Sequence, residues 1–244
     1  MNGKDLPQSK RATCYDSAHG LISPESAFGN HHSAILLVGP TGSGKTPLGD
    51  LLEKEGFLGS RCVHFDFGAN LRAAAASRTR PSFLRASEFR IVKNVLKTGA
   101  LLKEEDFDIA GKILLDFIRR RHVGRHDFVI MNGLPRHVAQ ARAVAAVVDV
   151  VMVINLVCSP RVVLSRIRGD AGGDRAGRID DSRDFVKRKL KIFRSQTLPL
   201  LDHYRKKRIM IVNARVTEDS SPRHVVRAIE LKHRSGLKDD NKSK

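Results

Sequence analysis

At 244 residues and 41% hydrophobic, the chain is near the upper size for one hydrophobic core, so one main domain with small insertions is expected. Its longest apolar stretches, around Ala34 to Val38 and Val147 to Ile154, fall far short of the roughly 18 residues of a membrane span, and the polar Met1 to Gly20 lacks the apolar centre of a signal peptide. The net charge of +18 asks for an anionic partner, yet only 5% of residues are aromatic and the basic runs Arg119 to Arg121 and Arg205 to Arg208 carry almost no rings for base stacking, so they read as solvated helix ends and nucleic acid is not favoured. Cys14, Cys62 and Cys158 are too far apart for a zinc spacing and do not make a disulfide framework. The histidine groupings, His31 with His32 and His122 with His126, have no supporting carboxylate for a metal site. A cytoplasmic monomer is expected.

Residues 1–32 mix Ser, Pro, Gly, His and charges without apolar period, and 235–244 are charged; both read as flexible tails around a domain at 33–234. Within it, apolar runs predict strands at Ala34 to Val38, Arg61 to Phe65, Phe128 to Met131, Val150 to Leu156 and Ile209 to Val212. Helical patterns fall between them. This alternation predicts an α/β fold: a parallel five-stranded sheet covered on both faces, three layers in all.

Two insertions break the rhythm. Residues 68–121 read as several helices without a strand, with a Thr98-Gly99 break, and predict a helical subdomain. Residues 168–183 hold the segment Gly169 to Asp181, whose four glycines predict a mobile flap. The flap contains no cysteine, which excludes a zinc-bearing lid.

The first strand runs into Gly39-Pro40-Thr41-Gly42-Ser43-Gly44-Lys45-Thr46, the full G-x-x-x-x-G-K-S/T pattern, with a helix expected from about Pro47. Glycines let the backbone turn tightly enough for its N–H groups to converge on phosphate oxygens, and a helix N-terminus adds partial positive charge. Lys45 is then expected at the β- and γ-phosphates of a nucleotide, and the Thr46 hydroxyl at its magnesium ion.

Three later segments extend the pattern. Phe67-Gly68-Ala69-Asn70-Leu71-Arg72 is similar to T-G-D-x-L-R, and Asn132-Gly133-Leu134-Pro135-Arg136 with Gln140 is similar to D-G-F-P-R-x-x-x-Q. Gly177-Arg178-Ile179-Asp180-Asp181 precedes a helix that ends in Thr197-Leu198-Pro199-Leu200 and Tyr204. In this order after the phosphate loop, from Ile35 to about Ile229, the chain resembles the adenylate kinase family, short-lid type. The resemblance implies a P-loop NTPase fold with 68–121 as the insertion that binds the nucleoside monophosphate. It implies Mg2+ with ATP as donor and a nucleoside monophosphate, most readily AMP, as acceptor.

By the same resemblance, Gly39 to Thr46 and Arg166 bind ATP, and Gly68, Arg72, Gly133, Arg136 and Gln140 bind the acceptor. The two arginines would grip its α-phosphate, and Gln140 its base. Lys45, Arg136, Arg178 and Lys189 would act on the transferred group, Thr46 and Asn132 (through water) on magnesium, and Asp180 or Asp181 would tie the flap down.

Departures from the pattern leave alternatives open. Phe67 replaces a threonine that faces the acceptor base, Ala69 an aspartate, Asn132 the aspartate that orients the magnesium water shell, and Lys189 an arginine. Asp170 stands where another arginine is common, and Arg168 or Arg175 is available to replace it. An acceptor such as UMP or CMP therefore stays open, as does an ATP-binding relative with weak or no transfer. On the helix after the flap, phase separates two cations. With Val186 at the centre of the buried stripe and about 100° per residue, Lys189 lies about 60° to one side and Arg188 almost opposite.

Overall fold

A computed structural model describes residues 31–98, 102–170, 173 and 183–234. Five strands, β1 (His32–Val38), β2 (Cys62–Asp66), β3 (Phe128–Asn132), β4 (Val148–Val157) and β5 (Met210–Arg215), form one sheet in the order β2-β3-β1-β4-β5. All four pairings are parallel. Each apolar run of the sequence lies within or overlaps one strand. β1 begins at His32, one residue inside the segment read as the N-terminal tail, because His32 pairs with Val148 at the start of β4.

The strands read as continuous apolar runs because both faces are covered. Alternate residues feed two cores. Ala34, Leu36, Val63, Phe65, Val129, Met131 and Val153 face one side, and Ile35, Leu37, Phe128, Ile130, Met152 and Ile154 the other. The second face is closed by α1 (Lys45–Glu55), through Leu48 and Leu52, and by α9 (Pro222–Arg234), through Val225 and Ile229.

Between β2 and β3 lie α2 (Phe67–Ala76), α3 (Ala86–Thr98), a 3-10 turn at Glu104–Asp106 and α4 (Phe107–Arg120), with no strand among the described residues. They do not build a core of their own. Ile113, Leu114, Phe117 and Ile118 of α4 share one cluster with Phe65 and Met131 of the sheet, and the Phe65 and Phe117 rings meet edge-on at 5.0 Å. The same face receives α5 (Val138–Val144) and α8 (Pro199–Lys206). α6 (Pro160–Arg168) follows β4, and α7 (Arg183–Ile192) continues through a π turn, Phe193–Thr197, into α8.

α1 starts at Lys45, two residues before the helix expected from the sequence. Pro47 is tolerated in the first turn, where its missing N–H costs no helical bond. Further along, Gly49 packs against the buried His64 ring: a Cβ there would come within 2.3 Å of Nε2 and 2.4 Å of Cδ2. The ring is tied down by Asp50, so it has little room to retreat. Gly49→Ala gains helix propensity, yet the overpacking should win and destabilise the fold by about 2 kcal/mol. A melting midpoint equal to or above wild type would show that the ring moves freely.

Candidate active site

Because every strand runs the same way, the loops after β1, β2, β3 and β4 leave the same edge of the sheet. Leu37, Asn132 and Asp66 form one transverse row, with Leu37 paired to Asn132 and Asn132 to Asp66. The strand order also reverses at β1, and crevices at such switch points are where open α/β sheets bind ligands. The phosphate loop rises from this point.

Left-handed or unusual backbone shapes the loop. Gly42 has φ 75° and Gly44, the cap of α1, φ 93°. A Cβ on Gly39 would come within 2.7 Å of Ser43 Oγ, and one on Gly42 within 2.8 Å of Ile167 Cγ1. Lys45 Nζ donates to the carbonyls of Gly39 and Pro40, each at 2.8 Å, which folds the ammonium over the loop. Ser43 is 2% exposed and its hydroxyl has no partner among the described residues. An orphaned buried hydroxyl within a glycine cradle fits an anion that completes its hydrogen bonding.

Arg166 clamps this loop to the far end of the sheet. Only 5% exposed, it donates from Nε to Gly42 O at 3.3 Å and from one terminal nitrogen to the carbonyls of Thr217, Glu218 and Ser220, each at 3.0 Å. The 217–220 turn was not singled out in the sequence, and it has no motif to betray it.

Behind the loop is a polar chain that sequence reasoning missed. Thr46 Oγ1 donates to Asp66 Oδ2 at 3.2 Å. The Asn132 amide nitrogen donates to Asp66 Oδ2 at 3.0 Å and to Thr46 Oγ1 at 3.1 Å, and lies 3.4 Å from His64 Nε2. His64 Nδ1 meets Asp50 Oδ1 at 2.8 Å. Asn132 was expected to act on magnesium through water, which calls for its amide oxygen. Instead its nitrogen faces Thr46 and Asp66, because the opposite amide orientation would set oxygen against a carboxylate. Asp66 Oδ1 accepts the Ala69 N–H at 2.8 Å and so caps α2.

Two arginines stand at the neighbouring strand ends. Arg72 is an exposed residue one turn into α2, with a terminal nitrogen 3.3 Å from where a Gly68 Cβ would sit. Arg136 keeps solvent contact but is crowded by protein; desolvation pushes its pKa down, opposed by the charge of Asp66. Its Nε donates to Gly133 O at 3.1 Å. Gln140 is buried, and its Oε1 accepts the Arg136 N–H at 2.7 Å, which fixes the start of α5. Phe67, 8% exposed, turns into the core beside Phe65, with ring centroids 6.2 Å apart.

On α7, Val186 is 1% exposed, Lys189 and Leu190 are half-buried, and Lys187 and Arg188 are exposed. This burial follows the helical phase. Arg168 is an exposed residue at the end of α6. Arg175, Arg178, Asp180 and Asp181 lie outside the described residues, as do the tail segments 1–30 and 235–244. Among the described residues no three His, Cys, Asp or Glu side chains gather as a resident metal cage, and no helix is long and apolar enough to cross a membrane.

A parallel sheet that delivers a G-x-x-x-x-G-K-S/T loop onto the first turn of a helix, with Lys45 over the loop, is a P-loop NTPase fold. No family model matches the chain. It is similar to the adenylate kinase of Xanthomonas oryzae pv. oryzae, 30% identical over 182 residues, which covers 70% of this chain and 84% of that protein. The adenylate kinase of Prochlorococcus marinus is 26% identical over 184 residues (72% and 86%), and that of Borrelia garinii subsp. bavariensis 24% over 225 residues (82% and 99%). The chain belongs to the adenylate kinase family.

Proposed function

We propose that the protein transfers the γ-phosphoryl group of ATP to AMP, giving two molecules of ADP. The observation that carries this reading is the phosphate loop with Lys45 at one strand end and Arg136 with Gln140 at the next, on the same edge of the sheet. Phosphoryl transfer needs two anions brought in line and the charge on the moving group stabilised, which cations and backbone N–H groups supply. The backbone of Gly39 to Thr46 holds the donor phosphates, with Lys45 at the β- and γ-groups. Arg166 presents its guanidinium to the donor base beside the 217–220 turn. Gly68 and Gly133 let the acceptor approach the backbone, Arg72 and Arg136 hold its phosphate, and the amide of Gln140 reads its base. An acceptor phosphate oxygen attacks the γ-phosphorus as the bond to ADP breaks. The helices of 68–121 form the acceptor side, and Arg178 and Lys189 act on the transferred group.

The hard oxygen donors beside Lys45, the Thr46 hydroxyl and the Asp66 carboxylate, suit a magnesium ion that arrives with ATP and keeps most of its water. When bound, that ion neutralises charge on the β- and γ-phosphates.

A coupled assay with ATP against AMP, CMP, UMP, GMP and dAMP tests the reading. AMP should give the highest kcat/KM. Preference for CMP or UMP would reassign the acceptor. A protein that binds ATP and nucleic acid but transfers to none of the five would end the kinase reading.

A further inference from the structure

The structure assigns to Asp66 the negative charge that the ion of a bound Mg·ATP needs beside Thr46, a positioning role displaced from β3 to the neighbouring strand β2. In P-loop NTPases the ion is held by the loop's Ser/Thr hydroxyl together with an acidic side chain at a nearby strand end. Here β3, the strand next to β1, ends in the neutral Asn132. Asp66 is the direct register partner of Asn132, one strand further out. Its Oδ2 reaches across to Thr46 Oγ1 at 3.2 Å, and the Asn132 amide holds that same oxygen at 3.0 Å. The carboxylate is thus aimed at the hydroxyl rather than at open solvent.

Two contacts hold it there. Oδ1 is occupied by the N–H of Ala69, so the carboxylate plane is fixed by the start of α2. Asn132 rests in turn against His64 Nε2 at 3.4 Å, and Asp50 holds the His64 ring at Nδ1. A neutral amide at 132 then makes chemical sense, since a second carboxylate there would face Asp66 Oδ2 across 3.0 Å. Asn132 donates to the acid instead of supplying it. Two positions have exchanged roles: the acid is on β2 and its support on β3.

The inference rests on the kinase reading only for the identity of the nucleotide. It is tested by binding, with the non-hydrolysable β,γ-imido analogue of ATP titrated calorimetrically with and without Mg2+. Mn2+ bound in the complex is counted in parallel by electron paramagnetic resonance. Absence of transfer to AMP would count against the proposed function and leave this comparison intact. Asparagine caps helices as well as aspartate does, so Asp66→Asn should fold, and its melting midpoint checks that. Asp66→Asn should cut the Mg2+-dependent gain in affinity about tenfold, with Mn2+ affinity falling in step, while metal-free affinity stays level or tightens for want of one repelling charge. Asp66→Asn with Asn132→Asp, which moves the acid to β3, should recover most of the gain. An unchanged metal gain in Asp66→Asn would overturn the assignment. So would an equal loss of affinity with and without metal, the mark of a purely structural cap, or a double variant no better than Asp66→Asn alone.

Discussion

Lys45→Ala should lose turnover by about 10³ or more, the largest effect expected of any single substitution in this chain. Its ammonium is held by two backbone carbonyls of the loop it serves, at 2.8 Å each, and no other described cation donates to that loop from its own first helical turn. Those two bonds do little for stability, about 1 kcal/mol each net, so the variant should still fold. The loss should fall mainly on kcat, because charge on the γ-phosphoryl oxygens grows most during transfer. Lys45→Arg should not restore full activity, since the planar, bulkier guanidinium cannot sit as a point charge between the Gly39 and Pro40 carbonyls. Single-turnover kinetics with saturating ATP would measure this directly. If Lys45→Ala kept a tenth of wild-type kcat, the cradle would not be the centre of the reaction.

The second large effect separates two adjacent cations. Lys189→Ala should reduce turnover about 10²-fold, whereas Arg188→Ala should change it little. Val186 is the buried centre of α7; Lys189 is half-buried at the edge of that stripe and Arg188 points to solvent. Phe193 continues the stripe into the core and sets the rotation of the helix. Lysine at 189 supplies charge without the two-pronged contact of the family's arginine, so Lys189→Arg should keep activity or raise it. Steady-state kinetics on the three variants decides the matter. A larger loss from Arg188→Ala than from Lys189→Ala would overturn the argument from helical phase.

Helical phase was legible in the sequence, and so were the five strands, because strands buried on both faces are unbroken apolar runs. The phosphate loop was legible because its spacing and its strand-loop-helix context are local. What stayed hidden was lateral. Asp66 directly precedes Phe67 in a stretch that was read closely, yet its contact with Thr46 and Asn132 depends on which strands are neighbours and on their register. A sequence states neither. The same holds for His64, whose partners Asp50 and Asn132 come from a helix and another strand. Phe67 was noted in place of a threonine that faces the acceptor base, and the nearby Phe65 and α4 give its ring an apolar place in the core. Gln140 lies in the first turn of α5 and Arg136 just before it, and the hold of the Gln140 carbonyl on the Arg136 N–H is a local detail of backbone geometry.

The Arg166 clamp alters how damage downstream of β5 should be read. Its buried charge is satisfied by carbonyls from two distant places, Gly42 in the phosphate loop and the turn at Thr217 to Ser220. A premature stop before Thr217 looks on a gene map like a loss far from any motif. In the folded chain it strands a buried guanidinium against the phosphate loop, so a truncated allele is a lesion of the nucleotide cradle and not of a dispensable tail.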